Sequence, residues 1–190
     1  MSLFKNIFEA NELPLYIYPY RVITTSMGCG LIEVVPNTLS RDQLGSRVEG
    51  GLDDYFVQKY GHRDGIRCQR AVRCFVESMA AYSIVSYILN VKDRHNGNIL
   101  LDEDGHILHI DFGFLFDISP GGDFGFESSP FKLTHEMMGV MGMKEKVGKK
   151  TEAFNMFINL CVQGFLAVRP HADTFIAFVS LMIDSKLPCF

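Results

Sequence analysis

The sequence has no C-x-x-C pair. Its five cysteines, Cys29, Cys68, Cys74, Cys161 and Cys189, are odd in number and scattered, which excludes a closed disulfide framework and a zinc knuckle. Free thiols in a reducing compartment are what such spacing predicts. An excess of basic residues is missing too: 18 Lys and Arg stand against 22 Asp and Glu, a formal net charge of −4. Electrostatic capture of nucleic acid needs a basic stripe that displaces counterions, so that class is excluded and any membrane contact has to be local. No apolar run reaches the roughly 18 residues of a spanning helix, and Met1-Ser2-Leu3-Phe4-Lys5 lacks the apolar core of a secretory signal. The expected location is the cytoplasm, peripheral to a cytosolic membrane face. Internal repeats and low-complexity tracts are absent as well.

What is present is a 47% apolar chain of 190 residues, enough to bury a core as one domain or two small lobes. Leu3, Phe4, Ile7 and Phe8 recur at helical spacing, so a short amphipathic helix is expected from Ser2 to about Asn11. Leu15 to Tyr20, Arg21 to Thr25 and Leu31 to Val35 are rich in β-branched and aromatic residues and read as strands of a small sheet closed by Pro36-Asn37. Beyond it helices prevail: a short one within Ser40 to Gly51, one over Asp53 to Tyr60, and a long one over Gly65 to Leu89. Thr134 and Thr151 are expected to cap helices reaching about Met141 and Val168, and Pro170 to open a last one toward Ser185. Between them Asn98 to Leu101 and His106 to Ile110 read as a hairpin turned by Asp104-Gly105. The fold class is α+β.

Two clusters carry chemistry: Asp93-Arg94-His95-Asn96-Gly97-Asn98, and Asp111-Phe112-Gly113. Phosphoryl transfer requires cations on the phosphates and a group near the attacking hydroxyl, since the protein supplies placement and electrostatic stabilisation. Asp93 and Asn98 have the separation of the catalytic Asp and metal-binding Asn in the protein-kinase pattern H-R-D-x-x-x-x-N. The hairpin between Asn98 and Asp111 carries the chain out and back, so that an amide and a carboxylate face one cation. That oxygen pair suits Mg²⁺, which keeps most of its waters. His106 and His109 are three apart and read as structural, not as metal ligands.

Asp-Arg-His-x-x-Asn followed by His109-Ile110-Asp111-Phe112-Gly113 resembles the signature of the phosphatidylinositol 3- and 4-kinase superfamily, which includes related large Ser/Thr kinases. Val91-Lys92, Phe131-Lys132-Leu133-Thr134, Ser40-Arg41-Asp42-Gln43-Leu44-Gly45 and Ser119-Pro120-Gly121-Gly122 are similar to the type III phosphatidylinositol 4-kinases, with the alpha type favoured. The resemblance runs along nearly the whole chain and implies a protein-kinase-like core. Residues 1–36 would be an N-lobe remnant and hinge, and residues 37–190 a helical C-lobe with a catalytic loop at 91–99 and an activation loop at 111–132. It implies ATP and Mg²⁺ as cofactors and phosphatidylinositol in a membrane as the partner. Ile32, Glu33, Val34 and Val35 would form the hinge, with the Glu33 and Val35 backbone reading adenine. Asn98 and Asp111 would hold magnesium. Asp93 or His95 would orient or deprotonate the inositol hydroxyl, and Arg94 would brace the catalytic loop.

Substrate choice is read from the segment Phe114 to Phe131, which holds Asp117, Asp123 and Glu127 but no Lys or Arg. Head groups with extra phosphates need basic partners, so an acidic loop ending at Lys132 fits unphosphorylated phosphatidylinositol, with Lys132 as the substrate contact. Phe114, Leu115, Phe116, Phe124 and Phe126 are candidates for bilayer contact or, more simply, for packing, and Met137, Met138, Met141 and Met143 for core filling. The phosphate-clamping half of a kinase, a glycine-rich loop and a lysine on strands before the hinge, is not in the sequence: Gly28-Cys29-Gly30 reads as a turn and Lys5 lies on a helix. The expectation is a 4-kinase core lacking most of the N-lobe. The alternatives are a catalytically silent kinase-like binding domain and a related lipid or protein kinase.

Overall fold

The computed structural model describes residues 1–47, 49–116, 118–120, 129–143 and 150–181. Seven helices are described, α1 (Ser2–Ala10), α2 (Arg41–Arg47), α3 (Leu52–Tyr60), α4 (Ile66–Leu89), α5 (His135–Val140), α6 (Glu152–Val168) and α7 (Ala172–Ser180). The strands are β1 (Val22–Ser26), β2 (Cys29–Ile32), β3 (Thr38–Ser40), β4 (Ile99–Asp102) and β5 (Ile107–His109). They form two small antiparallel sheets, β1-β2 and β3-β4-β5.

The molecule is organised around α4. Phe75, Val76, Met79 to Tyr82, Ile84 and Val85 are buried on every side of it, and a helix apolar all round belongs inside. By length and composition alone α4 could span a bilayer, but here α3, α6 and β5 pack onto it. The closest approach is at α6, where a Cβ on Gly164 would lie 2.4 Å from Ile84 Cδ1 and 2.6 Å from Leu15 Cδ1. α1 lays Phe4, Ile7 and Phe8 into the same core. The caps follow the sequence: the Thr134 and Thr151 hydroxyls accept from the N–H groups of Met137 and Phe154.

Three expectations are corrected. Leu15 to Tyr20 is not a strand: its alternation is real, with Leu15 and Ile17 buried, but the partner is α4, reached through Tyr16 N–H to the Glu77 carbonyl and Tyr18 N–H to the Tyr82 hydroxyl. A period of two reports a half-buried extended chain and does not name what covers it. Pro36-Asn37 does not end the β region, because Thr38–Ser40 pairs with β4; three residues are too few for a periodic signal. The last helix opens at Ala172 and not at Pro170, which lies in a 3-10 turn at Arg169–His171. Of the apolar loop residues, Phe114, Leu115 and Phe116 are half-buried, while Phe124 and Phe126 lie outside the described residues. Met137 and Met141 fill the core.

The β4-β5 hairpin positions the site. Its register pairs Ile99 with His109 and Leu101 with Ile107. At its turn Gly105 has φ +100, and an added Cβ would lie 2.8 Å from the Ala71 carbonyl oxygen on α4. Both the positive φ and the helix backbone exclude a side chain. Gly105→Ala is therefore expected to cost about 3 kcal/mol, seen in thermal unfolding as a fall in Tm of roughly 6–12 °C.

Candidate active site

The hairpin register brings residues thirteen apart in sequence together. Beyond the Ile99–His109 pair, the Ile110 N–H donates to the Asn98 carbonyl at 3.1 Å, so Asn98 and Asp111 flank the open end of the hairpin. Asn98 is buried, and its side-chain amide N–H donates to the Asp93 carbonyl at 3.0 Å, which fixes the amide with Oδ1 as its acceptor. Asp111 adopts φ +54 and its Oδ1 accepts from the Gly113 N–H at 3.2 Å. Asp93 is also left-handed, at φ +60, and Asp tolerates that region better than branched residues. One amide oxygen and one carboxylate fit a hard divalent cation that retains waters.

Arg94 lies beneath this pair, 2% exposed. Its guanidinium donates to the carbonyls of Lys92 (2.9 Å), Ile110 (2.8 Å) and Asp111, and sits 5.4 Å from the Phe112 ring centroid. It ties the 91–99 loop to the segment after β5 that carries Asp111. Lys132 reaches the same loop from the opposite side, its ammonium donating to the Arg94 carbonyl at 2.7 Å and to Asn96 Oδ1 at 3.3 Å. His95 is exposed; its Nδ1 accepts from the Gly97 N–H at 3.0 Å, and its Nε2 faces the Asp93 carboxylate at 3.9 Å.

A cavity of about 710 Å³ opens between the two sheets, lined by Ile32, Glu33, Val34 and Val35 and by Asp111 and Phe112. The expected hinge is not a buried strand: β2 ends at Ile32, and Ile32 and Val34 are exposed. Its backbone polarity is selective. The Glu33 N–H donates to the Arg21 carbonyl at 2.8 Å and the Val35 carbonyl accepts from the Thr38 hydroxyl at 3.0 Å. Among the described residues this leaves the Glu33 carbonyl as an acceptor and the Val35 N–H as a donor.

Sequence reasoning missed Tyr20 and Thr38. Tyr20 lines the cavity and stacks near Phe112 at 6.5 Å between ring centroids. Thr38 selects the free hinge groups. Neither stands at a fixed spacing from the chemistry, so no pattern in the sequence marks them.

The two histidines of the hairpin are structural in different ways. His109 is fully buried against the Tyr82 ring, 4.8 Å between centroids, and burial, with the Arg94 and Lys132 charges, pushes its pKa down to about 3. His106 donates to the Asp102 carboxylate at 2.8 Å. Burial opposes its charge, but the hydrogen-bonded Asp102 carboxylate raises its pKa to about 9. Because the folded pKa lies above the unfolded one, the added stability is complete below about pH 6.5 and is lost as pH rises through 9. His106→Gln should remove this slope. Against wild type, its deficit in urea-unfolding free energy is expected to shrink by about 2 kcal/mol between pH 6.5 and 9.5.

The family model for phosphatidylinositol 3- and 4-kinase matches residues 1–190. The chain is 54% identical over 190 residues to phosphatidylinositol 4-kinase stt4 of Schizosaccharomyces pombe, covering 100% of this chain and 10% of that protein. It is 50% identical over 190 residues to phosphatidylinositol 4-kinase STT4 of Saccharomyces cerevisiae, with the same coverage. Against phosphatidylinositol 4-kinase beta 1 of Arabidopsis thaliana it is 50% identical over 192 residues, 100% of this chain and 17% of the relative. The chain thus spans about a tenth of the length of the two yeast relatives.

Proposed function

This chain belongs to the phosphatidylinositol 3- and 4-kinase family, and we propose from that premise that it is the metal-binding and hydroxyl-activating part of a phosphatidylinositol 4-kinase, which transfers the γ-phosphate of ATP to the 4-hydroxyl of phosphatidylinositol at a cytosolic membrane face. The observation that carries this is the cavity running from Ile32–Val35 to Asp111. The adenine edge meets the Val35 N–H and the Glu33 carbonyl, and the phosphates point toward Asn98 and Asp111. Asn98 Oδ1 and the Asp111 carboxylate would hold magnesium, which would supply positive charge to the phosphates. Arg94 does not touch substrate in this reading; it holds the Asp111 backbone in place.

The acceptor hydroxyl approaches Asp93. Since His95 Nδ1 already accepts from Gly97 and Nε2 faces Asp93, we assign proton acceptance to the Asp93 carboxylate and orientation of that carboxylate to His95. Lys132 meets the lipid phosphodiester from the loop on which it is docked. The absence of Lys and Arg between Phe114 and Phe131 supports a head group without additional phosphates.

The test uses the chain itself and a chimera in which it replaces the matching segment of the Schizosaccharomyces pombe relative. Both are incubated with ATP, Mg²⁺ and vesicles containing phosphatidylinositol. The expected product is phosphatidylinositol 4-phosphate from the chimera. Phosphate at the 3-position or on peptides alone overturns the assignment, and a chimera that binds ATP without transfer supports a silent binding domain.

A further inference from the structure

A second cavity of about 710 Å³ lies between the first half of α4, α5 and the start of α6. Arg73 stands on its α4 wall, about 24 Å along the helix axis from Leu89, after which the catalytic loop begins. Val72, Val76, Val140, Met141 and Met156 line the interior. Of these Val76, Val140 and Met141 are buried and make an apolar floor. The mouth is polar, and its two walls differ in charge. Arg63, Asp64, Gln69 and Arg73 form the α4 side. Thr151 and Glu152 face them, with Lys150 next in the chain keeping that wall near neutral.

The α4 wall belongs to a basic stretch. From Lys59 to Arg73, the basic residues Lys59, Arg63, Arg67, Arg70 and Arg73 stand against a single acid, Asp64, in a chain of net charge −4. Part of this charge is answered within the protein: Arg63 pairs with Asp53 and donates to the Gly139 carbonyl at 3.3 Å, and Arg73 pairs with Glu77 at 2.8 Å. Arg67 and Arg70 are exposed, and their side chains have no ion pair or hydrogen bond among the described residues. Arg70 and Arg73, three apart, follow one another along the helix surface beside the groove.

We propose that this groove docks an acidic amphipathic segment of a partner protein, its apolar side chains on the floor and its carboxylates over Arg70 and Arg73. Charge complementarity decides the occupant. A wholly apolar segment leaves the arginines unanswered, and a basic one meets like charge along α4. Because the facing wall is near neutral, the acids belong on one edge of the segment, which is the arrangement of an amphipathic helix in a groove. A bilayer is flat on this scale and reaches the arginines but not the buried floor. Met141 and Met156 suit the site, since unbranched side chains adapt to what they bind. The proposed phosphoryl transfer uses none of these groups.

Fluorescence anisotropy on the chain, with a fluorescein-labelled synthetic helix carrying Leu at every third or fourth position and Glu between, tests this. Saturable binding is expected, weakening about tenfold as NaCl rises from about 0.05 to 0.5 M. Arg70→Glu combined with Arg73→Glu is expected to weaken it about tenfold or more. Arg47→Glu combined with Arg169→Glu changes the net charge equally at exposed positions outside the groove and leaves binding intact. Probes with Ser for Leu, or Gln for Glu, are each expected to lose binding. Where circular dichroism shows the Arg70 and Arg73 double variant unfolded, Arg70→Gln with Arg73→Gln takes its place and has to weaken binding about threefold. Absence of saturable binding, equal weakening in the control pair, or a Gln probe as good as the Glu probe overturns the proposal. So does association of phosphatidylserine vesicles through the same arginines without binding of the probe.

Discussion

Asp111→Asn in the chimera is expected to lower kcat for phosphoryl transfer by about a thousand-fold, near 4 kcal/mol in the barrier, while Tm stays within a few degrees of wild type. Two observations separate these effects. The side chain is exposed and the backbone is left-handed at φ +54, a conformation that Asn adopts as readily as Asp. Fold and turn therefore persist while the anionic group proposed to hold magnesium is lost. Asp111→Ala removes the same ligand but adds backbone strain, so it should lose both activity and stability. Steady-state kinetics together with calorimetry distinguish the two variants. Retention of more than a tenth of wild-type kcat in Asp111→Asn would contradict the metal assignment.

Arg94 should behave in the opposite way, with stability lost first. Arg94→Met is expected to reduce unfolding free energy by about 4 kcal/mol, roughly a 10 °C fall in Tm, because the Lys92, Ile110 and Asp111 carbonyls lose their donor inside the protein. Arg94→Lys keeps the charge but not the planar fork that reaches carbonyls on two separate segments. It should recover less than half of the loss. A Tm unchanged in Arg94→Met, with kcat lowered, would reverse the assignment and make Arg94 a substrate contact.

The metal pair and the hinge differ in how much of each is legible in the sequence. Kinase-like spacing between Asp93 and Asn98 and the Asp-Gly turn before Asp111 are local constraints: a short loop and a tight hairpin leave few ways to arrange four residues. The register then places Asn98 beside Asp111, as the hairpin requires. The backbone groups proposed to read adenine come from the resemblance, and the sequence does not show which backbone atoms are free. That is decided by Arg21 and Thr38, which take up the Glu33 N–H and the Val35 carbonyl.

The segment from Leu15 to Tyr20 illustrates the complementary failure. Its alternation of buried and half-buried residues satisfies the periodicity of a strand, yet it pairs with none of the described strands. Hydrogen bonds to Glu77 and Tyr82 on α4 replace the ladder. The three-residue strand β3 failed in the other direction, because its pairing with β4 is a long-range contact with almost no local signature.

The two clusters that point to phosphoryl transfer are determined by the sequence alone: the residue types, their spacing, the hairpin between them and the caps of the helices around them are all short-range. Only the tertiary structure decided what long-range contacts decide. It put Arg94 under the Asp111 backbone, Tyr20 and Thr38 at the cavity wall, and Gly105 against Ala71 of α4. Those pairings depend on how α4, the hairpin and the chain before β1 pack together. Packing is settled by buried surface and close approach, which a linear pattern does not encode.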